Sequence, residues 1–385
     1  MTEPYAVCVS ARGRSGGRWA GVGIVALVLL TAVSIAGHLA LLPLLFPATP
    51  VAAPQRPGPT VTGPATSAGS GSNATAGSSG SPTTPAAPTT VPAVPAYDRA
   101  CLRRDNPSTG AKIPRGDPFG DDIADLGDKA QLQRLYAVQS GSLVPIDGLG
   151  APRSCDQQLW NLVTATAPTL VGHLEELLVF DADPDPNTGD FVIEGESAPK
   201  QVAPDTFDDD RWRLSFAPNG LDRAELAWLV AHELAHIASL NKSQMLAGIG
   251  ADTCATWYTG TGCLLHDSFL SRYLTNTWDD DMWDAWDQAD SKVSEKERRA
   301  AYRDFFDAHK DSFVTSYAAW HPMEDFAESF AMWCTYAADE TDRKKLPTTT
   351  RTQSGSKVAW FDAARRDLLP AFGPGCQMLQ EFAVG

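Results

Sequence analysis

Hydrophobic and polar positions divide this chain into an apolar run, a polar tract of small residues and a longer stretch with helix and strand periodicities. From Ala20 to Phe46 the residues are almost wholly apolar, and His38 is the only ionisable one. As a helix rising 1.5 Å per residue, these 27 positions reach about 40 Å, more than the roughly 30 Å of a hydrocarbon core. Arg12, Arg14 and Arg18 precede the run, so the positive-inside rule predicts a cytoplasmic tail over 1–19, a transmembrane signal anchor over 20–46 and the remainder outside. A signal-peptide core typically runs only about 7–15 residues. Cleavage among the small residues from Ala48 to Ala53, giving a secreted protein, is the alternative. Residues 47–96 are Pro, Ala, Thr, Ser and Gly with almost no large apolar side chain. Too little surface can be buried there to offset ordering, which predicts a disordered linker. Asn73-Ala74-Thr75 within it matches a glycosylation acceptor.

Periodic patterning begins near Tyr97, and residues 97–385 are expected to form one extracytoplasmic domain. A helical stretch is predicted around Asp128–Gln139, and another over 156–178 with a break at Pro168. LLVF (177–180) and FVIEG (191–195) flank the turn-rich DADPDPNTGD and read as a strand pair. RWRLSFAP (211–218) alternates as a strand does, and Asn219-Gly220 turns the chain. Asp222 followed by Glu225 makes a capping box that starts a helix to about Leu240, with Leu226, Leu229, Val230 and Ile237 at helical spacing. A further helix runs from Pro322 to Tyr336, its apolar face marked by Phe326, Phe330 and Trp333. Met282, Trp283 and Trp286 fall at helical spacing in TWDDDMWDAWDQAD (277–290), a pattern of core packing or a lid. The elements together predict an α+β fold: a small mixed sheet beside helices.

Charge narrows the partners. Of 31 Lys and Arg and 47 Asp and Glu, four basic residues and one acidic residue precede Tyr97, which leaves 97–385 at −19. Such a domain is repelled by nucleic acid and by anionic lipid, so a nucleic-acid role is excluded. Six cysteines follow the apolar run: Cys101, Cys155, Cys254, Cys263, Cys334 and Cys376. An even count beyond a membrane segment fits disulfides in an oxidising compartment. Cys254 and Cys263, separated by a short loop rich in Gly and Thr, are the pair expected to bond.

The chemistry sits in His232-Glu233-Leu234-Ala235-His236. Histidines four apart share a helix face, so both imidazoles can reach one ion without bending the backbone. Glu233 falls where its carboxylate meets a metal-bound water rather than the metal. Zinc at a catalytic site takes three protein ligands and leaves a fourth position for water. Glu324 and Glu328, four apart near a helix start, supply the third: one can bind zinc while the other orients a ligand histidine by a hydrogen bond. His321, His266 and His309 are rivals for the metal or for substrate contact. Asp181, Asp183, Asp185 and Asn187 alternate like the front of a calcium loop, but Pro186 stands where glycine is needed, and an acidic hairpin turn is the better reading.

Tyr317-Ala318 and then Glu324-Asp325-Phe326-Ala327-Glu328-Ser329-Phe330 resemble the second signature of the lethal-factor-like gluzincins, the family of anthrax lethal factor and the Pro-Pro endopeptidases. In that family a tyrosine lies seven residues before the glutamate ligand and a second glutamate four residues after it. The resemblance implies a zincin-like metallopeptidase fold, zinc on His232, His236 and Glu324, and Glu233 as general base. It further implies that Tyr317 stabilises the oxyanion and that Glu328 supports a ligand histidine. The stretch between His236 and Glu324 is longer here than in that family and carries Cys254, Cys263 and the Trp/Asp-rich segment. The expected activity is therefore zinc-dependent hydrolysis of peptide bonds in a protein or peptide substrate. A catalytically silent peptidase fold that binds a partner at the cell envelope is the alternative. The sequence leaves oligomeric state and cleavage preference open.

Overall fold

The computed structural model describes residues 8–12, 92–102, 131–146, 152–181, 192–203, 206–336, 357–364, 372 and 374–385. The expected membrane span, nearly all of the linker including Asn73, and the acidic turn at 182–191 lie outside these residues. Among the described residues no helix is long and apolar enough to cross a membrane.

Eight strands are present among the described residues: β1 (Cys8–Arg12), β2 (Gln131–Gln139), β3 (Ser142–Pro145), β4 (Leu174–Asp181), β5 (Val192–Ala203), β6 (Thr206–Phe216), β7 (Met245–Ala247) and β8 (Gly262–Leu264). The first six form one sheet in the order β1-β5-β6-β4-β2-β3, and β7 with β8 makes a separate hairpin. All neighbours in the large sheet are antiparallel except β4 and β6, which are parallel. The helices are α1 (Ser154–Thr166), α2 (Arg223–Leu240), α3 (Phe269–Thr277), α4 (Asp280–Asp290), α5 (Glu295–His309), α6 (Pro322–Tyr336), α7 (357–364) and α8 (Gly375–Val384). The fold is thus mixed, a six-stranded sheet with helices, as the α+β expectation required.

Three local expectations are corrected. Residues 131–139 form β2, not a helix. Leu132, Leu135 and Tyr136 have helical spacing, but Arg134 and Tyr136, two apart on one strand face, both bond the Asp156 carboxylate offered by α1. Tyr136 donates to Asp156 Oδ2 at 2.5 Å and Arg134 Nη2 to Oδ1 at 2.8 Å. Helix does not extend over 156–178 either: α1 stops before Pro168, and β4 begins at Leu174. Finally, β4 and β5 are strands but do not pair, because β6 lies between them. The hairpin is β5–β6, closed where Ala203 faces Thr206. A strand order with an insertion leaves no trace in local periodicity.

The helix α2 forms as the capping box predicts. Asp222 Oδ1 accepts from Glu225 N at 2.8 Å, and Glu225 Oε2 accepts from Asp222 N at 2.9 Å. Every residue from Leu226 to Leu240 is buried. A helix covered all round belongs in the middle of a fold, and α2 packs against β5, α6 and α8. The run 277–290 turns out to be core: Trp278, Met282, Trp283 and Trp286 are all buried. Three disulfides close Cys101–Cys155, Cys254–Cys263 and Cys334–Cys376, the second being the pair expected from sequence.

Behind the first turn of α6 lies a buried ion pair. Asp325 Oδ2 accepts from Lys357 Nζ at 2.6 Å, Trp278 Nε1 at 2.8 Å and the Tyr273 hydroxyl at 3.1 Å. The network joins α3, α6 and α7, with Asp325 next in sequence to Glu324. Lys357 is 1% exposed, so Lys357→Met would leave a carboxylate buried without its cation. That loss is expected to cost about 3–5 kcal/mol, read from the urea unfolding midpoint of the variant.

Candidate metal centre

Two helices meet at the site. His232, Glu233 and His236 come from the middle of α2, and Glu324 and Glu328 from α6, which packs along it. His232, Glu233 and His236 are fully buried, and Glu324 and Glu328 are 5% and 4% exposed. The ligand atoms of His232, His236 and Glu324 converge within 4.8 Å of one another. His232 Nε2 and His236 Nε2 are 3.0 Å apart. Glu324 Oε2 lies 3.1 Å from the first and 3.4 Å from the second. Tetrahedral zinc, with ligand bonds of about 2.0–2.2 Å, sets its ligand atoms about 3.3 Å apart. The spacing therefore suits a small divalent cation. Two imidazoles and a carboxylate are also the donor set that catalytic zinc accepts.

The surrounding contacts leave those lone pairs available. His232 Nδ1 lies 2.8 Å from Glu328 Oε1. A carboxylate only accepts, so Nδ1 carries the proton and Nε2 presents its lone pair. Trp228 Nε1 donates to the same oxygen at 3.0 Å, and the Thr315 hydroxyl donates to Glu328 Oε2 at 2.5 Å. Burial disfavours a charged His232, yet the carboxylates of Glu324 and Glu328 outweigh it and lift its pKa to about 10. Glu324 is held down at about 2, the imidazoles of His236 and His232 overcoming the effect of burial. Positive charge is thus favoured on His232, which lies between the two glutamates, whereas burial lowers the pKa of His236.

Glu233 faces the opposite situation. Neither of its carboxylate oxygens makes a hydrogen bond of ordinary geometry among the described residues, although the Ser197 hydroxyl interacts with it as a donor. Burial pushes its pKa well above the ordinary value, with Glu324 and Glu196 adding to the rise and His232 and the Ser197 hydroxyl opposing it. A raised pKa gives this carboxylate a greater proton affinity than an exposed one, which is the direction a general base requires. Space is kept for it by Gly195 on β5: a Cβ there would come within 2.8 Å of Glu233 Oε1 and 2.7 Å of Leu229 Cδ1.

Tyr317 lies in the turn 316–320, nearly buried, with its ring centroid 6.1 Å from that of His232. The rivals for the metal fall away from the triad. His266 is exposed, and His309 packs on Phe305 with centroids 4.9 Å apart. The His321 ring sits between Trp257 and Trp286, at 5.3 Å and 5.5 Å, and its Nδ1 accepts from Met323 N at 3.3 Å. Burial against the indoles lowers its pKa to about 4, so at neutral pH it is uncharged. Three supporting residues went unread in the sequence: Trp228, Thr315 and Gly195. Trp228 stands one helical turn before His232 and could have been found from that spacing. Thr315 and Gly195 act through tertiary approach, which local pattern does not carry.

No family model matches the chain, and no match was found among curated proteins or solved structures.

Proposed function

We propose that this chain is a zinc-dependent endopeptidase acting on protein or peptide substrates outside the cytoplasmic membrane. The observation that carries the reading is the convergence of His232 Nε2, His236 Nε2 and Glu324 Oε2 at 3.0–3.4 Å beside the fully buried carboxylate of Glu233. Zinc held by those three atoms would acidify a bound water and polarise a substrate carbonyl. Glu233 takes the proton of the attacking water and returns it to the leaving amine. Its burial beside Gly195 keeps bulk water from competing for that proton. The Tyr317 phenol donates to the oxygen on which negative charge develops. Glu328 fixes the tautomer and the ring orientation of His232. Cleavage-site profiling of the zinc-loaded chain on a peptide library tests the reading. Discrete cleavage products that vanish with chelator support it, and an intact library in the presence of stoichiometric zinc overturns it.

The proposal includes anchoring through residues 20–46 with the catalytic domain outside, where three disulfides persist. The pairing of Cys8–Arg12 with β5 belongs to a chain with no bilayer between them. A span at 20–46 would put the first twelve residues on the other side, and Cys8 tells the two apart. With the anchor inserted, Cys8 should resist a membrane-impermeant maleimide in intact cells and react after permeabilisation. Equal labelling before and after permeabilisation would remove the span from the proposal.

A further inference from the structure

Tyr317 belongs to no helix or strand, so something other than regular structure must hold its phenol near the site. The turn that carries it is tied at both ends. At its far end Trp320 N donates to Tyr317 O at 3.0 Å, and Trp286 Nε1 donates to Trp320 O at 3.1 Å. At its near end the Thr315 hydroxyl accepts from Ala318 N at 3.1 Å. The same hydroxyl donates to Glu328 Oε2 at 2.5 Å, while the other oxygen of Glu328 meets His232 Nδ1 at 2.8 Å.

From these contacts we infer that Thr315 is a positioning residue, which sets Tyr317 by fastening its turn to the carboxylate that orients His232. A hydroxyl has one hydrogen. A carboxylate can only accept, so that hydrogen goes to Glu328 and a lone pair remains for Ala318 N–H. The directions cannot be exchanged, and the bond to a charged acceptor is of the stronger kind. Glu328 therefore does two things at once: one oxygen holds a metal-binding imidazole and the other holds the segment bearing the phenol. A shift of about 1 Å in a catalytic group can cost about 10²-fold in rate, so a single side chain that registers the turn against α2 has leverage on turnover without touching substrate. The inference rests on the peptidase reading for its effect on rate, but not for its effect on metal binding.

The test uses the full-length chain with Thr315→Val and Thr315→Ser, each made with Tyr317 and with Tyr317→Phe. Kcat and KM are measured on one cleaved peptide at saturating zinc, and zinc affinity by chelator competition. Thr315→Val should lower kcat about 10–100-fold with Tyr317 present, with KM nearly unchanged, and have little effect in the Tyr317→Phe background. Serine, which keeps the hydroxyl, should restore most of the rate. Zinc affinity should fall about tenfold in the valine variant, the lower end of what loss of a partner to a ligand histidine costs. An equal loss in both backgrounds, or serine no better than valine, would assign Thr315 a merely structural role and overturn the inference. Wild-type kcat in the valine variant overturns it too, and leaves the peptidase reading standing. If the parent chain cleaves no peptide, that reading falls, and the affinity measurement alone decides: weaker zinc in valine but not serine supports the tie through Glu328, and unchanged zinc refutes it. Should valine prevent folding, Thr315→Ala replaces it in the same design.

Discussion

Glu233→Gln should keep its zinc and lose about 10²–10⁴-fold in kcat, the range that a positioned acid–base group contributes. The substitution preserves shape, and the amide oxygen can still accept from the Ser197 hydroxyl, as the carboxylate does. It removes only the capacity to take and return a proton. KM and metal stoichiometry should therefore stay near those of the parent chain, which kinetics and elemental analysis of the same preparation can check. The variant should also melt at a higher temperature. The carboxylate is fully buried and its pKa is raised, first by burial and then by Glu324 and Glu196, so folding near neutral pH costs either a buried charge or the uptake of a proton. A neutral amide relieves that cost, and activity exchanged for stability is the mark of a site rather than of a structural residue. Full turnover in a zinc-loaded Glu233→Gln preparation would remove Glu233 from the mechanism.

How far residues declare their place depends on the range of the interaction that fixes them. The α2 start at Asp222 and Glu225 is set by bonds across three residues, and the pattern announced it. So was the shared face of His232 and His236, which follows from helix geometry alone. The span of α6 was read correctly from Pro322 and its apolar spacing. The strand β2 was misread because Arg134 and Tyr136 take their meaning from Asp156, twenty and more residues later in the chain. Pairing of β4 with β5 failed for a similar reason: β6 follows both in sequence yet enters between them, and nothing within either strand records it. The residues of the candidate site divide the same way. The pair Glu324 and Glu328 was recognisable by spacing, but the residues alone left open which of them stands against both imidazoles until α6 was laid against α2. There Glu324 Oε2 faces both Nε2 atoms, whereas of the two imidazoles Glu328 bonds that of His232 alone, at Nδ1.

That difference between the two glutamates yields the second large effect. Glu324→Ala should abolish stoichiometric zinc binding, whereas Glu328→Gln should weaken it by only about 10–100-fold, the usual consequence of losing a ligand histidine's hydrogen-bond partner. Thermal unfolding reads both in one experiment. Zinc supplied at about 1,000 times its dissociation constant stabilises a folded chain by about 4.1 kcal/mol, which should raise the melting temperature of the parent measurably above that of the chelated sample. Glu324→Ala should show no zinc-dependent shift, because two imidazoles alone must then hold the ion. Glu328→Gln should show a reduced shift that recovers as zinc is raised, since mass action compensates for weaker affinity but not for a missing ligand. The reverse ranking, with Glu328→Gln silent and Glu324→Ala titrating normally, would mean that the side chains exchange roles when the ion enters. Identical shifts in all three proteins would mean that zinc binds elsewhere, and the reading of α2 and α6 as a metal centre would fall with it.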